Sequence, residues 1–225
     1  MGLILCLETA TKTCSVSLGL NGEELLTITE DSGNYSHAEK LNGFIVSLFD
    51  QTGYSLSDLD AVAISEGPGS YTGLRIGTST AKGFCYALDI PLIAINSLKA
   101  LAALSPAREE LICPLFDARR MEVYAAIFNT QLEGIEKTKA VVIDKDSYQT
   151  YLKEHTVVFL GPGAEKCQEI IVHKNAKFDL QTGVSASGML TLAEAKFQHA
   201  DFVDVAYFEP FYLKDFIAGV PKKLF

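Results

Sequence analysis

The first hundred residues alternate between short apolar segments of β type and longer segments with helical spacing. Three β-rich segments, separated by turn residues, come first: residues 3–8, 15–20 and 24–30. Asn21-Gly22 predicts a tight hairpin between the second and third segments, because both residues tolerate positive φ. A helix is predicted from Ser36, and Gly53 is placed to end it. Its apolar positions recur every three or four residues, at Ala38, Leu41, Phe44, Ile45, Leu48 and Phe49.

The next forty residues predict a strand, a helix and a second strand. Residues 61–64 are apolar without polar alternation, as expected of a strand covered on both faces. A glycine-rich loop over residues 67–73 precedes a helix over about residues 72–88. Its regularly spaced positions are Leu74, Gly77, Thr78, Ala81, Phe84, Cys85 and Leu88. Residues 91–95 form another buried strand, and Ser97 is placed to cap a helix that runs to about Leu104.

The predicted order is therefore βββαβαβα, which gives a mixed five-stranded sheet. By analogy at the level of fold, this is the ribonuclease H-like lobe of the actin-like (ASKHA) superfamily. Beyond Pro106, apolar and helical segments mix less regularly, at residues 111–116, 123–128, 141–143, 157–160, 166–172 and 186–197. We expect a two-lobed α/β protein, with residues 1–105 in the first lobe and 106–225 in a second, more irregular lobe. No long linker separates the lobes, so they are expected to share an interface.

Composition and charge narrow the function classes. The 225 residues are 48% hydrophobic and 21% charged, which is typical of a globular protein. The net charge of −9 argues against a surface that holds RNA or DNA by neutralising phosphates. No apolar run reaches the roughly 20 residues that span a bilayer, and no basic segment precedes the apolar start. The five cysteines form no C-x-x-C pair. We expect a cytoplasmic protein with reduced core cysteines and no membrane contact.

The densest motif is the glycine-rich loop, GPGSYTGLRIG at residues 67–77. It lacks the Gly-Lys-Ser/Thr ending of a P-loop, and its glycine spacing is one residue too long for a dinucleotide fingerprint. It could be a structural turn, or it could offer helix N–H groups to an anion. Gly73, Gly77 and Ala81 follow at intervals of four residues, which permits close helix packing. The sequence leaves open whether that packing is within the lobe or with a partner.

Other candidate chemistry is sparse. Glu8-Thr9-Ala10-Thr11 ends the first strand, where the superfamily keeps an Asp-x-Gly-Thr phosphate turn. We interpret it, with Ser70, as a vestigial nucleotide site composed of Glu8, Thr9, Thr11 and Ser70. The four histidines lack metal-ligand spacing, and no G-x-S-x-G elbow is present, so no metal and no catalytic residue is predicted. Residues 117–124 predict a solvated hairpin, residues 161–163 a helix-entry turn and residues 209–214 a docked chain end.

Taken together, these strings resemble one family. LETATKTCSVSL at residues 7–18, HAEKL at 37–41, the loop at 67–77, DARRMEVY at 117–124, GPG at 161–163 and PFYL at 210–213 are similar to the TsaB family, once called YeaZ. The resemblance covers most of the chain in the right order. Two positions depart from the family pattern: Glu8 stands for the usual Asp, and Lys214 stands for a common Arg.

The resemblance implies an accessory subunit of the bacterial system that makes threonylcarbamoyladenosine (t6A) in tRNA. In that family the catalytic paralogue TsaD modifies adenosine 37 of tRNAs that read codons beginning with A, and the ATPase TsaE joins the complex. TsaB would be a scaffold without a cofactor, and it would contact tRNA only indirectly. It pairs with TsaD, or with a second copy of itself, through two helices of the first lobe. Carried over by position, that interface is His37, Leu41, Ile45, Leu48, Thr72, Gly73, Ile76, Gly77, Thr80, Ala81 and Phe84.

Two alternatives belong to the enzyme class. The Glu8 turn and two glycine loops would also suit a small ATP-dependent phosphotransferase of the actin and sugar-kinase superfamily, with weak nucleotide binding at the least. A protease, a label given to relatives of the family, has no support from the sequence, which has neither a metal-ligand pair nor a nucleophile elbow. Two substitutions are predicted to distinguish these hypotheses. A bulky residue at Gly77 should break partner association if the chain is a scaffold, whereas Glu8→Ala should have the larger effect if it is a kinase.

Overall fold

The computed structural model describes residues 2–31, 37–107 and 110–214, and it contains two five-stranded sheets. The strands of the first sheet are β1 (Leu3–Glu8), β2 (Cys14–Leu20), β3 (Glu23–Glu30), β4 (Ala61–Gly67) and β5 (Leu92–Asn96). Their order is β3-β2-β1-β4-β5. The β1–β2 and β2–β3 pairs are antiparallel, and the β1–β4 and β4–β5 pairs are parallel. The predicted mixed sheet is confirmed. Asn21 and Gly22 form its tight turn, with φ of 57° and 83°.

Three helices belong to the first half of the chain: α1 (His37–Thr52), α2 (Tyr71–Leu88) and α3 (Ser97–Ala103). The predicted start of α1 at Ser36 lies outside the described residues. Gly53 follows α1 with a positive φ of 75°, as expected for a helix end. The predicted cap of α3 is wrong by one residue. The Asn96 side chain accepts hydrogen bonds from the N–H groups of Leu98 and Lys99, both at 3.1 Å, while Ser97 is the first helical residue.

The first sheet is covered on both faces, because its central strands are apolar on both. Leu3, Leu5 and Leu7 of β1 share a buried cluster with residues of α1 and α2. Ile4 and Cys6, which alternate with them, pack instead with a 3-10 turn (Ala186–Met189) and α6 (Leu190–Gln198). The prediction that residues 106–225 form one continuous second lobe is therefore wrong at this point. The chain returns to the first sheet, where Val203 also pairs with Leu92.

The second sheet contains β6 (Leu111–Asp117), β7 (Glu122–Phe128), β8 (Gly134–Val142), β9 (Val157–Leu160) and β10 (Ala176–Asp179), in the order β10-β9-β6-β7-β8. Two short helices accompany it, α4 (Gln149–Leu152) and α5 (Ala164–Gln168). The predicted helix at residues 166–172 starts earlier and ends at Gln168. Residues 117–124 form the expected hairpin between β6 and β7. Buried residues of α3 pack with residues of β6, β7 and β9, so the two lobes share an apolar interface.

All five cysteines are buried and free, as predicted. Burial raises the pKa of every one of these thiols, to about 11 for Cys14, Cys85 and Cys167. They are apolar packing residues rather than nucleophiles. Within the described residues, no helix is long and apolar enough to cross a membrane.

Candidate functional site

The turn between β1 and β2 fills the hollow of the glycine-rich loop. A methyl group added at Gly73 would lie 2.1 Å from the carbonyl oxygen of Thr9, and one added at Gly69 would lie 2.3 Å from that of Ala10. One added at Gly77 would lie 2.3 Å from the Thr9 hydroxyl. These distances are far below van der Waals contact, so the three glycines are the positions at which the turn touches the loop and α2. Because glycine has no side chain, these positions leave room for the β1–β2 turn of the chain itself.

Two N–H groups at the N-terminus of α2 are bonded within the chain. The N–H of Ser70 donates to the carbonyl oxygen of Ala10 at 2.6 Å. The Ser70 hydroxyl caps the helix by accepting from the N–H of Gly73 at 3.2 Å. In a phosphate loop, amides at a helix N-terminus would point at the anion. Here the carbonyl oxygens of Thr9 and Ala10 bring partial negative charge to that end of α2.

The four predicted nucleotide residues come together, and each is bound to the chain's own atoms. Glu8 Oε1 accepts from the N–H of Ala10 at 2.6 Å and from the Ser65 hydroxyl at 3.0 Å. The Thr9 N–H donates to Ser65 Oγ at 3.3 Å, and Thr11 Oγ1 accepts from the N–H of Thr13 at 3.2 Å. Ser70 caps its own helix, so all four residues make hydrogen bonds within the chain, while the buried Thr9 hydroxyl has no hydrogen-bond partner among the described residues.

The Glu8 side chain is fully buried, and its burial raises the pKa of the carboxyl from 4.5 to about 7. The hydrogen bonds from Ala10 and Ser65 oppose this rise without cancelling it. The second oxygen, Oε2, has no hydrogen-bond partner among the described residues, which favours the protonated acid. In this environment Glu8 is a buried acid at the end of β1, bonded through Oε1 to the chain's own atoms.

This pKa predicts a pH dependence of stability. Between pH 4.5 and about pH 7 the folded chain retains a proton on Glu8 that the unfolded chain releases, so the free energy of unfolding falls as pH rises through this window. The total fall in the free energy of unfolding is about 3 kcal/mol, and it is complete above about pH 7. We expect Glu8→Gln, which cannot ionise, to remove most of the difference between urea unfolding at pH 5 and at pH 8. The exposed Glu24→Gln is the control, and an unchanged difference in Glu8→Gln would contradict the assignment.

The structure places most of the predicted interface residues in the chain's own core. Seven of them are buried: His37, Leu41, Ile45, Leu48, Gly73, Gly77 and Ala81. His37 Nε2 hydrogen-bonds the Thr13 carbonyl at 3.2 Å, and burial lowers the pKa of its imidazole. The stripe Leu41, Ile45 and Leu48 packs against the first sheet. The interface prediction is corrected for these seven positions, because their helical stripe is the one that holds the helices to the sheet.

The opposite faces of α1 and α2 are open to solvent. They carry small, polar and a few apolar residues: Asn42, Gly43, Val46 and Ser47 on α1, and Thr72, Arg75, Ser79, Gly83, Tyr86 and Ala87 on α2. Val46 is 60% exposed and Tyr86 is 88% exposed. A methyl group at Gly43 or Gly83 would meet no atom within 4 Å. Of the predicted interface residues, Thr72 is exposed, and Ile76, Thr80 and Phe84 are half-buried at the edge of this surface. We call this surface the outer helix face.

The outer helix face adds three residues, Ser79, Gly83 and Tyr86, to Thr72 and Ile76, which the sequence analysis selected. The five follow one another at intervals of four, three, four and three residues. That is the spacing of a helix-pairing stripe, which the sequence itself contains. The sequence analysis instead gave weight to a second stripe on the same helix, through Gly73, Gly77 and Ala81, which has the smaller side chains.

The end of the described chain docks across both lobes, as predicted for residues 209–214. The N–H of Phe211 donates to the carbonyl oxygen of Glu66 at 2.7 Å. Gly67 is required there, because its φ is +117° and a methyl group would lie 2.5 Å from the Phe211 carbonyl oxygen. Tyr212 then accepts a hydrogen bond from Arg75 Nε at 3.2 Å. In the part of the chain that the structure describes, no three His, Cys, Asp or Glu side chains group as a metal site.

Two stacked lobes, each built on a mixed five-stranded sheet, define an α/β protein of the actin-like class. The family model described as TsaD, tRNA N6-adenosine threonylcarbamoyltransferase, matches residues 32–222. The TsaB protein of Bacillus subtilis is 32% identical over 70% of each chain, and that of Escherichia coli is 30% identical over 96% of each chain. Both are named tRNA threonylcarbamoyladenosine biosynthesis proteins. The chain belongs to the TsaB family.

Solved structures agree with this assignment. A Pseudomonas aeruginosa protein described as similar to peptidase YeaZ superposes with a TM-score of 0.83. A second structure, described as YeaZ from the same organism, gives 0.78. Each is 26% identical to this chain, and each match covers 95% of this chain and 100% of the other. The two-lobed fold is therefore shared over nearly its whole length.

Proposed function

We propose that this chain is a non-catalytic scaffold subunit of t6A biosynthesis, which binds and activates a TsaD-type threonylcarbamoyltransferase. The proposal rests first on the filled glycine loop. A phosphate needs free amides and open space at a helix N-terminus. Here the backbone of Thr9 and Ala10 fills that space, Ala10 accepts the Ser70 N–H, and the Ser70 hydroxyl accepts the Gly73 N–H. The sequence analysis selected one carboxylate near that turn, Glu8. Its side chain is buried and accepts a hydrogen bond from the N–H of Ala10.

The outer helix face supports the binding part of the proposal. Gly43 and Gly83 lie on two neighbouring helices and have open space above them, so another helix could approach closely. Val46 and Tyr86 supply apolar surface that water covers in the isolated chain. Two helices with these small and apolar positions would form a bundle with two helices of a similar lobe. That lobe would be the TsaD-type partner in the complex, or a second copy of this chain when it is alone.

Light scattering after size exclusion tests the proposal. We expect a homodimer of the chain alone, and a heterodimer when it is mixed with the TsaD-type protein of its own organism. Addition of threonylcarbamoyl adenylate as the donor, tRNA as the acceptor and the TsaE ATPase with ATP should then give t6A, with AMP released from the donor, at a rate that neither the chain nor the partner supports alone. Absence of a complex under all these conditions would overturn the proposal.

The alternative is a small ATP-dependent phosphotransferase with the same fold. It would turn over nucleotide with Mg²⁺ in the absence of any other subunit, and Glu8→Ala would abolish that turnover. We expect no turnover by the isolated chain, because the turn of residues 9–11 occupies the place of the phosphate.

A further inference from the structure

The hairpin between β6 and β7 carries two adjacent arginines in a backbone conformation that arginine rarely adopts. Arg119 and Arg120 have φ of 71° and 50°, in the left-handed region. Gly, and less often Asn, are the residues that readily adopt a positive φ. Two side chains with a Cβ are disfavoured there, and strained residues that persist are a reason to look for a function.

One lysine fixes the shape of this hairpin. Lys166 of α5 donates to Asp117 Oδ1 at 2.6 Å, to the Arg120 carbonyl oxygen at 2.8 Å and to the Glu122 carbonyl oxygen at 2.7 Å. Asp117 Oδ1 also accepts from the N–H of Arg119 at 2.8 Å. Four charge-assisted hydrogen bonds therefore hold the strained turn in place and present its two side chains to solvent.

The acidic groups of the hairpin are neutralised by lysines rather than by the arginines. Asp117 pairs with Lys166, and Glu122 pairs with Lys214. Arg119 and Arg120 are exposed and form no ion pair with any described residue. Among the described residues these two charges therefore stay unpaired, on a chain whose net charge is −9.

A third cation approaches from the other lobe. Lys12, in the turn between β1 and β2, is exposed and lies close enough for its charge to help lower the pKa of the Asp117 carboxyl. Tyr124 is half-buried next to the hairpin, within range of the charges of Arg119 and Lys214. Lys12 lies in the β1–β2 turn of the first lobe, and Arg119 and Arg120 lie in the β6–β7 hairpin of the second. We call these three residues the three-cation patch.

We propose that the three-cation patch binds the phosphodiester backbone of the RNA substrate in the assembled complex. A single phosphate would need a concave and partly buried cradle, whereas these cations are exposed and spread over two lobes. An extended polyanion suits that arrangement, and arginine is the side chain best suited to phosphate oxygens. The inference rests on the proposed function. It goes beyond the sequence-based expectation that RNA contact falls mostly to the partner subunit, since it gives this chain a contact of its own once the partner holds the RNA.

The experiment uses the complex of this chain with its TsaD-type partner and an unmodified tRNA transcript that reads a codon beginning with A. Arg119→Asn combined with Arg120→Gly removes both charges and gives the turn the residues it prefers. We expect tRNA affinity to fall about tenfold at low salt, and the slope of log affinity against log salt to decrease by about 1.5, for two lost contacts. The Tm should rise by about 2–4 °C as strain is relieved.

Lys153→Ala combined with Lys174→Ala is the matched control. It removes two exposed charges next to the starts of β9 and β10, at the opposite end of the second sheet. This control should leave the affinity and the salt slope unchanged. Unchanged tRNA binding by an intact complex of the hairpin variant would overturn the inference while the scaffold function stands. Loss of the complex itself in that variant would show that the hairpin contacts protein, and would also overturn it. Failure of the wild-type chain to form any complex would instead overturn the proposed function, and the inference with it.

Discussion

Gly73→Ala should lower the free energy of unfolding by about 3 kcal/mol, the upper end of the range for overpacking a rigid site. The new methyl group would lie 2.1 Å from the Thr9 carbonyl oxygen, which belongs to backbone and cannot rotate away. Relief of the clash requires the turn of residues 9–11 to withdraw from α2, which breaks the hydrogen bond from Ser70 N–H to Ala10. Urea unfolding followed by circular dichroism measures the loss.

Gly83→Ala is the control for this substitution. It lies on the same helix, where a methyl group meets no atom within 4 Å. Alanine is favoured over glycine inside a helix by about 1 kcal/mol, so this variant should be more stable than the wild type. Equal stability of Gly73→Ala and the wild type would mean that the turn does not occupy the loop. The bulky substitution of Gly77 suggested by the sequence would have the same defect as Gly73→Ala, so it tests folding and not partner binding.

Gly43→Arg combined with Gly83→Arg should weaken association with the TsaD-type partner and with a second copy of the chain. The Kd of each association should rise by at least 100-fold. Both positions have open space in the isolated chain, so the lobe should stay folded. At a helix-to-helix contact the same side chains would hold the backbones apart and bury two charges without a counter-ion. Light scattering and titration of the partner measure the effect, and circular dichroism checks the fold.

Ala195→Arg provides the matched control for the outer helix face. It places the same side chain at an exposed helical position of α6, on the opposite face of the first sheet. The control should bind the partner as the wild type does. Partner binding by the double glycine variant at wild-type strength would exclude the outer helix face as the interface.

The predictable part of the fold is the part whose signals are local. Residues 61–64 and 91–95 are apolar throughout because both faces of β4 and β5 are covered, and the sequence analysis found both strands. The turn at Asn21-Gly22 was equally clear. By contrast, β10 (Ala176–Asp179) has four residues with a weak pattern, and its pairing with β9 depends on chain far away in sequence. Likewise, nothing in α6 itself indicates that it covers the first sheet instead of the second.

The sequence analysis found the two helices that carry the predicted interface, but not which of their faces packs against the sheet. Helical spacing shows that Leu41, Ile45 and Leu48 share a face, and it does not show what that face contacts. The small side chains of Gly73 and Gly77 were equally compatible with a partner helix and with the lobe's own packing. The structure decides for the lobe's own packing, because the Thr9 turn reaches into the space above them. The choice between these two kinds of packing depends on a contact between residues that are far apart in sequence, and a single sequence does not show such contacts.

The occupied glycine loop also limits how the molecule can move. In enzymes of this architecture a bound ligand can drive the two halves together only if it interacts more strongly with one arrangement than with the other. Here the backbone of Thr9 and Ala10 lies in the hollow of the glycine-rich loop, so the chain's own contacts hold the β1–β2 turn, the loop and α2 together. We expect these three elements to move as one rigid unit in any assembly that contains the chain.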